Sequence, residues 1–343
     1  MQPEVTTLCY LERDGQYLML HRVKKEHDVN KGKWIGVGGH AEEGESPEDC
    51  VIREVREETG LTLTSYRLRG VVTFLSGKGD YEYMFLFTAS GWSGEETACD
   101  EGDLEWVDKD KVWGLNIWEG DKIFFRLLDE DASFFSLKLV YDGTDRLGRA
   151  VLNGTPMELF DIIEPDGTKT GVRAERGVVH RDGRLHGTAH IWIVRPNRHG
   201  SLDYLLQKRS MHKDSYPGCY DISSAGHVQA GESAEQTALR EVREELGIDV
   251  APEDLHFVGI YKITDDAYFY GREFRDRERS SDYVMVRDIP DEDFHLQADE
   301  VDGVRWMDYD ELREAVAADA IPNCIHLDEI RMVKEYVEDR HLV

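Results

Sequence analysis

Apolar and polar positions alternate in a way that divides the chain into two stretches running through similar elements. Val5–Leu11 and Gln16–His21 alternate on either side of Asp14-Gly15. That pair favours a two-residue hairpin turn, because both residues accept positive φ. His190–Val194 and Tyr204–Gln207 repeat the pattern around the turn-rich Pro196–Leu202. Further alternating runs follow at Gly70–Phe74 and Tyr83–Phe87, then at His256–Lys262 and Asp282–Val286, and predict strands. Helical signals close each stretch, over Asp121–Leu128 in the first and over Tyr309–Ala318 and Asp328–Val337 in the second. An extended run at Phe134–Tyr141 precedes Asn153–Met157, and a new start follows at Glu158-Leu-Phe-Asp-Ile-Ile. At 343 residues the chain exceeds the usual size of a single core. Two domains, residues 1–154 and 155–343, are expected.

An internal repeat supports this division. Gly39-His-Ala-Glu-Glu-Gly-Glu45, continuing to Arg53-Glu-Val-Arg-Glu-Glu-Thr-Gly-Leu61, recurs as Gly226-His-Val-Gln-Ala-Gly-Glu232, continuing to Arg240-Glu-Val-Arg-Glu-Glu-Leu-Gly-Ile248. Matching positions are offset by 187 residues (226 − 39), and Arg22 maps onto Arg209 by the same offset. In each copy a serine, Ser46 or Ser233, precedes a polar residue three positions on, Asp49 or Gln236, as in a capping box. Pro47 suits a first helical turn, and Gly60 and Gly247 suit helix ends.

The predicted helix carries the chemistry. Glu54, Glu57 and Glu58 are spaced i, i+3, i+4 and share one face, as do Glu241, Glu244 and Glu245. A solvated acidic face is the plain reading of such a run. Here Cys50, Val51, Val55 and Leu61 form an apolar stripe as well, and Arg53 and Arg56 cannot balance three carboxylates. Oxygen-only clusters of this kind suit Mg²⁺ or Mn²⁺ bound jointly with substrate phosphates. The glycines before the helix let the backbone approach closely.

Composition narrows the partners. The net charge of −29 opposes a broad nucleic-acid surface, which needs Lys and Arg to neutralise phosphates. It permits a small nucleotide or other diphosphate substrate if carboxylates hold cations that reverse the local field. No apolar stretch reaches the ~18–20 residues of a membrane span, and Met1–Thr7 lacks a basic-then-apolar pattern. Five scattered cysteines without a CxxC pair argue against a disulfide framework or structural zinc, and a cytoplasmic location is expected. Oligomeric state leaves no trace in the sequence.

The repeated motif, G-x5-E-x7-R-E-U-x-E-E-x-G-U with U a bulky aliphatic, resembles the signature of the Nudix hydrolases. Both copies match at every specified position, from Gly39 to Leu61 and from Gly226 to Ile248. The resemblance implies an α/β (α+β) fold in which each domain is an α/β/α sandwich around a mixed sheet. It also implies hydrolysis of a diphosphate linked to another group. Glu54, Glu57 and Glu58, with Gly39, would hold the cations in the first copy; Glu241, Glu244 and Glu245, with Gly226, would do so in the second. Glu54, Glu57, Glu241 and Glu244 are the candidates for catalysis, one carboxylate or a later loop glutamate orienting the attacking water. Glu45, Arg53, Glu232 and Arg240 would brace the loop. Family members often carry a further carboxylate shortly before a tryptophan, a placement met by Glu101 before Trp106 and Glu300 before Trp306; ordinary acidic loop residues are the alternative. Arg22 and Arg209 would reach a phosphate, or lie on the surface.

Residues 1–150 resemble the MutT-like branch acting on oxidised purine nucleoside triphosphates, through Lys33-Trp-Ile-Gly-Val-Gly-Gly39 and through Trp118-Glu-Gly-Asp121. That likeness implies Lys33 at the substrate, Trp118 stacked on a purine and Asp121 bonded to its edge; taken alone, Trp118 reads as a core residue. Ile35 departs from it, standing where mammalian members have a base-contacting Asn. The second half resembles isopentenyl-diphosphate-isomerase-like Nudix proteins, through Glu158–Ile163, Gly167–Gly171, His180–His186 and His190-Ile-Trp-Ile. Asp221–Gly226 lacks the thiol that an isomerase needs, so hydrolysis is expected instead. His180, His186 and His190 span a region read as strand-turn-strand and are expected to be structural rather than a metal cluster. A sensing or dimerisation role for one domain is the competing view.

Overall fold

A computed structural model describes residues 3–24 and 28–343; Met1 and Gln2 of the Met1–Thr7 stretch lie outside the described residues. The first half runs β1 (Glu4–Arg13), β2 (Gln16–His21), β3 (Trp34–Ile35), α1 (Pro47–Thr59), β4 (Thr62–Leu75), β5 (Tyr81–Ser93), β6 (Asp103–Asp108), α2 (Glu119–Asp129), β7 (Phe135–Tyr141), β8 (Leu147–Leu152) and β9 (Thr155–Pro156). Asp14 and Gly15 have φ of 51° and 78°, the paired positive values of the expected hairpin turn. The sheet is mixed: β1 is parallel to β5 and β4 to β7, and the remaining pairs are antiparallel. Its order is β3-β2-β1-β5-β4-β7-β8-β9, with β6 on β2.

Strand alternation sorts the two faces of β1. Cys9 and Leu11 meet Val51 and Val55 of α1 in one core. Tyr10 turns to the other side and packs on Phe124 and Phe125 of α2, with ring centroids 6.0 and 4.8 Å away. Helix, sheet and helix therefore form three layers, and the box helix is fixed by its apolar stripe while its glutamates stay near the strand ends. Ser46 accepts from the Asp49 amide, and the Asp49 side chain returns to the Ser46 amide, closing the expected capping box.

The second half runs β10 (Leu159–Ile163), β11 (Lys169–Glu175), α3 (Arg176–Asp182), β12 (His186–Pro196), β13 (Leu202–Arg209), β14 (Tyr220–Asp221), β15 (Ser224–His227), α4 (Ala234–Leu246), β16 (His256–Phe269), β17 (Arg272–Val286), β18 (Val301–Asp308), α5 (Tyr309–Ala317) and α6 (Leu327–Asp339). β12 lies between antiparallel β15 and parallel β17. Ala189, Ile191 and Ile193 pack on Ala238, Val242 and Leu246 of α4. Trp192 and Val194 face Ile330, Val333 and Val337 of α6. The same three layers result, and Ser233 with Gln236 repeats the capping box. By contact density the chain forms two compact units, residues 1–159 with 172–178, and 160–171 with 179–343.

Candidate active site

In the first unit the box residues are tied together by one guanidinium. Arg53 donates to both carboxylate oxygens of Glu45 at 2.7 and 2.9 Å, to Glu54 at 2.7 Å, to Glu57 at 3.2 Å and to the His40 carbonyl at 2.9 Å. Glu45 is pulled down to about 2 by the Arg53 hydrogen bonds and the Glu42 amide. Arg53 thus links the loop to the helix and offsets part of the charge on Glu54 and Glu57. Glu58 points inward, accepts from the Gly38 amide at 2.9 Å and is 7% exposed. Burial pushes it up to about 8, against the pull of that amide. Arg22 approaches Glu58 at 3.9 Å, forms an ion pair with Glu101 and donates to Asp28 at 2.7 Å. Glu101 is therefore brought to the box through Arg22.

The backbone is close-fitting here. A Cβ on Gly39 would fall 2.6 Å from the Glu54 carboxylate, and one on Gly226 would fall 2.0 Å from Glu241 Oε1. A side chain at either position would have to displace that glutamate.

The second unit repeats the linkage. Arg240 donates to Glu241 at 2.7 Å, Glu244 at 3.1 Å and Glu232 at 3.2 Å. Glu245 is buried and accepts from Ser224 Oγ at 2.6 Å; burial pushes it up to about 8. The flanks differ from the first copy. Arg209 is turned onto Asp221 at 2.8 Å and the Ser215 carbonyl, and Glu300 is ion-paired with Lys213.

Lys33, Trp118 and Asp121 come together at the start of α2. The Lys33 ammonium sits 4.3 Å from the Trp118 ring centroid, and Trp118 Nε1 donates to Asn30 at 2.8 Å. Phe74 and Tyr141 meet the indole edge-on. Asp121 is buried, which pushes it up to about 8 although Lys33 favours its ionised form.

The strand expected around His180 is a helix, Arg176–Asp182, and its turn returns His180 to the start of β12 beside His186. Ligand atoms of His180, His186, His227 and Glu278 lie within 4.8 Å of one another. His186 Nδ1 lies 2.9 Å from the Arg184 carbonyl, and its Nε2 is 3.8 Å from Glu278. Such N and O donors suit a transition-metal ion. His190 belongs to a separate group with Asp282 and Glu329. Among the described residues these are the two His, Cys, Asp and Glu groups that close so tightly; the box glutamates do not, spread as they are between Arg53 and the Gly38 amide. His227 follows the box glycine and was within reach of the sequence; Glu278, Asp282 and Glu329 lie far along the chain and carried no signal.

A capped, glutamate-bearing helix laid on a mixed sheet, present twice, defines a hydrolase acting on pyrophosphate bonds. The family model "NUDIX domain" matches residues 2–128 and 184–325, and the chain belongs to that family. Over 159 residues, 46% of this chain and 20% of the relative, it is 40% identical to Nudix hydrolase 3 of Arabidopsis thaliana, so it spans only a fifth of that protein. Over 132 residues, 38% of this chain and 83% of the relative, it is 30% identical to the oxidized purine nucleoside triphosphate hydrolase of Danio rerio. Over 148 residues, 42% of this chain and 76% of the relative, it is 28% identical to the isopentenyl-diphosphate Delta-isomerase of Photobacterium profundum. Among the described residues no helix is long and apolar enough to cross a membrane.

Proposed function

We propose that residues 1–154 form a Mg²⁺- or Mn²⁺-dependent pyrophosphohydrolase for purine nucleoside triphosphates, oxidised guanine nucleotides such as 8-oxo-dGTP included. Residues 155–343 form a second hydrolase whose diphosphate-linked substrate differs. The observation that carries the first assignment is the meeting of Lys33, Trp118 and Asp121 at the start of α2. The Trp118 indole, buried under Lys33, would stack on a base that displaces the lysine from its ring. An acid that titrates at about 8 supplies either a hydrogen-bond donor or an acceptor to an oxopurine edge. The likeness to the oxidized purine nucleoside triphosphate hydrolase of Danio rerio supports this reading.

The box fits a divalent cation, because three carboxylates share a helix face and Gly39 or Gly226 leaves them room. Glu54, Glu57, Glu58 and Glu101 would hold it in the first site; Glu241, Glu244, Glu245 and Glu300 would do so in the second. Such an ion, when bound, stabilises charge on phosphoryl and leaving oxygens. Arg53 and Arg240 orient the glutamates. Glu57 and Glu244, at 61% and 52% side-chain exposure, face the solvent from which the attacking water comes.

The test is a steady-state comparison of 8-oxo-dGTP, dGTP and dCTP with the full-length protein and Trp118→Ala. Stacking of one base on an aromatic is worth about 1–3 kcal/mol, so KM for the purines should rise roughly 5- to 150-fold. Release of pyrophosphate with a nucleoside monophosphate is expected. Equal cleavage of dCTP, or an unchanged KM in the variant, would refute the purine assignment.

A further inference from the structure

In the second unit the buried polar residues continue past the group around Glu278. On the same face, His190 of β12 lies opposite Asp282 of β17, and α6 brings Glu329 over both. Ligand atoms of these three residues lie within 4.8 Å of one another. His190, Asp282 and Glu329 are 9%, 0% and 1% exposed.

Each carboxylate is held by one oxygen only. Ser280 Oγ donates to Asp282 Oδ1 at 2.6 Å. Trp192 Nε1 donates to Glu329 Oε1 at 2.8 Å, and His190 Nδ1 meets the same oxygen at 2.8 Å. The other oxygens, Asp282 Oδ2 and Glu329 Oε2, are buried without a hydrogen-bond partner. Two such acids beside a single imidazole leave excess negative charge and two unmet acceptors, which is unfavourable in a buried place. Donors that fix one carboxylate oxygen and leave the other facing a shared space are the usual outer shell of a metal-binding carboxylate.

The first unit solves the equivalent problem differently. Asp121 is the third residue of α2, as Glu329 is of α6. Lys33 is the cation that favours the ionised form of Asp121. The 187-residue offset of the box places Tyr220 where Lys33 stands. The second unit therefore has no lysine at that position and has Asp282 as an additional acid.

We propose that His190, Asp282 and Glu329 bind a divalent transition-metal cation. The imidazole in the donor set favours Mn²⁺ or Zn²⁺ over Mg²⁺. The site shares no ligand with the box helix or with the His180, His186, His227 and Glu278 group, which it adjoins where His190 Nε2 lies 3.9 Å from Glu278.

The experiment uses the full-length protein, stripped with a chelator and dialysed to equilibrium against Mn²⁺. Bound manganese per chain is counted by mass spectrometry. Asp282→Asn combined with Glu329→Gln should hold one ion fewer than the parent. If that double variant fails to fold, His190→Gln is read in the same way. An unchanged manganese count would overturn the proposal. So would a double variant that melts higher than the parent in EDTA with its metal count intact, the signature of a shared proton.

Discussion

Glu58 gives the most quantitative handle on the box. It is 7% exposed, and burial raises it from its ordinary 4.5 to about 8. Between those two values the unfolded chain releases the proton while the folded one keeps it. Stability is therefore greatest below the unfolded value and is lost as pH rises from about 4.5 to about 8. The whole rise corresponds to about 5 kcal/mol as a ceiling, at 1.36 kcal/mol for each tenfold step. Glu58→Gln fixes a neutral group in the same place, but it leaves Arg22 with one acid fewer, at a contact of 3.9 Å in the parent. A net gain of about 2 kcal/mol above pH 8 is expected, or about 4–8 °C for a domain of this size.

The assay is scanning calorimetry of the metal-free protein in EDTA from pH 5 to 9. The advantage of the variant should be small at pH 5, grow through neutrality and level off near pH 8.5. Added Mn²⁺ should invert the order, since only the parent can offer an ionised carboxylate at position 58. A difference independent of pH would mean that Glu58 is not held in its neutral form, and the reasoning would fail.

Other substitutions test the remaining parts of the two sites. Glu57→Gln and Glu244→Gln should each abolish one of two separable Mg²⁺-dependent activities; full turnover in the double variant would remove the carboxylates from the mechanism. Gly39→Ala and Gly226→Ala place a methyl 2.6 and 2.0 Å from Glu54 and Glu241. Displacing those side chains costs about 1–3 kcal/mol, so cation affinity by calorimetric titration should fall roughly 5- to 150-fold, and unchanged affinity would show that the glutamates tolerate the shift.

Legibility in the sequence followed the range of the interactions involved. The hairpin at Asp14-Gly15, the capping boxes at Ser46 and Ser233, and the spacing of Glu54, Glu57 and Glu58 are local, and each was readable within about ten residues. The β16–β17 hairpin was harder. Its expected strands stopped at Lys262 and began again at Asp282, whereas the pairing runs to Phe269 and Arg272. Charged residues such as Asp265, Asp266, Arg275 and Arg277 hid the strand, because they lie on faces that do not build an apolar core. The same alternation places Glu278, Ser280 and Asp282 on one buried face, a pattern that reads as solvent-exposed when the partners are unknown. The helix carrying His180 is hidden for a related reason: seven residues between two strands are too few to display its period.

The two halves show which parts of such a site tolerate change. Arg53 and Arg240 make the same set of contacts to the box glutamates, because one guanidinium must reach loop and helix together. The strand-end arginines are freer. Arg22 joins Glu58 and Glu101, whereas Arg209 is committed to Asp221 and Ser215. The third residue of the closing helix is an acid in both units: Lys33 favours the ionised form of Asp121, and His190 Nδ1 lies 2.8 Å from Glu329. A lysine 4.3 Å over the Trp118 ring covers an indole that Phe74 and Tyr141 meet edge-on. His190, between the buried acids Asp282 and Glu329, stands near the start of the closing helix of the second unit. The two units thus agree at the box glutamates and differ in what surrounds the acid at the helix start.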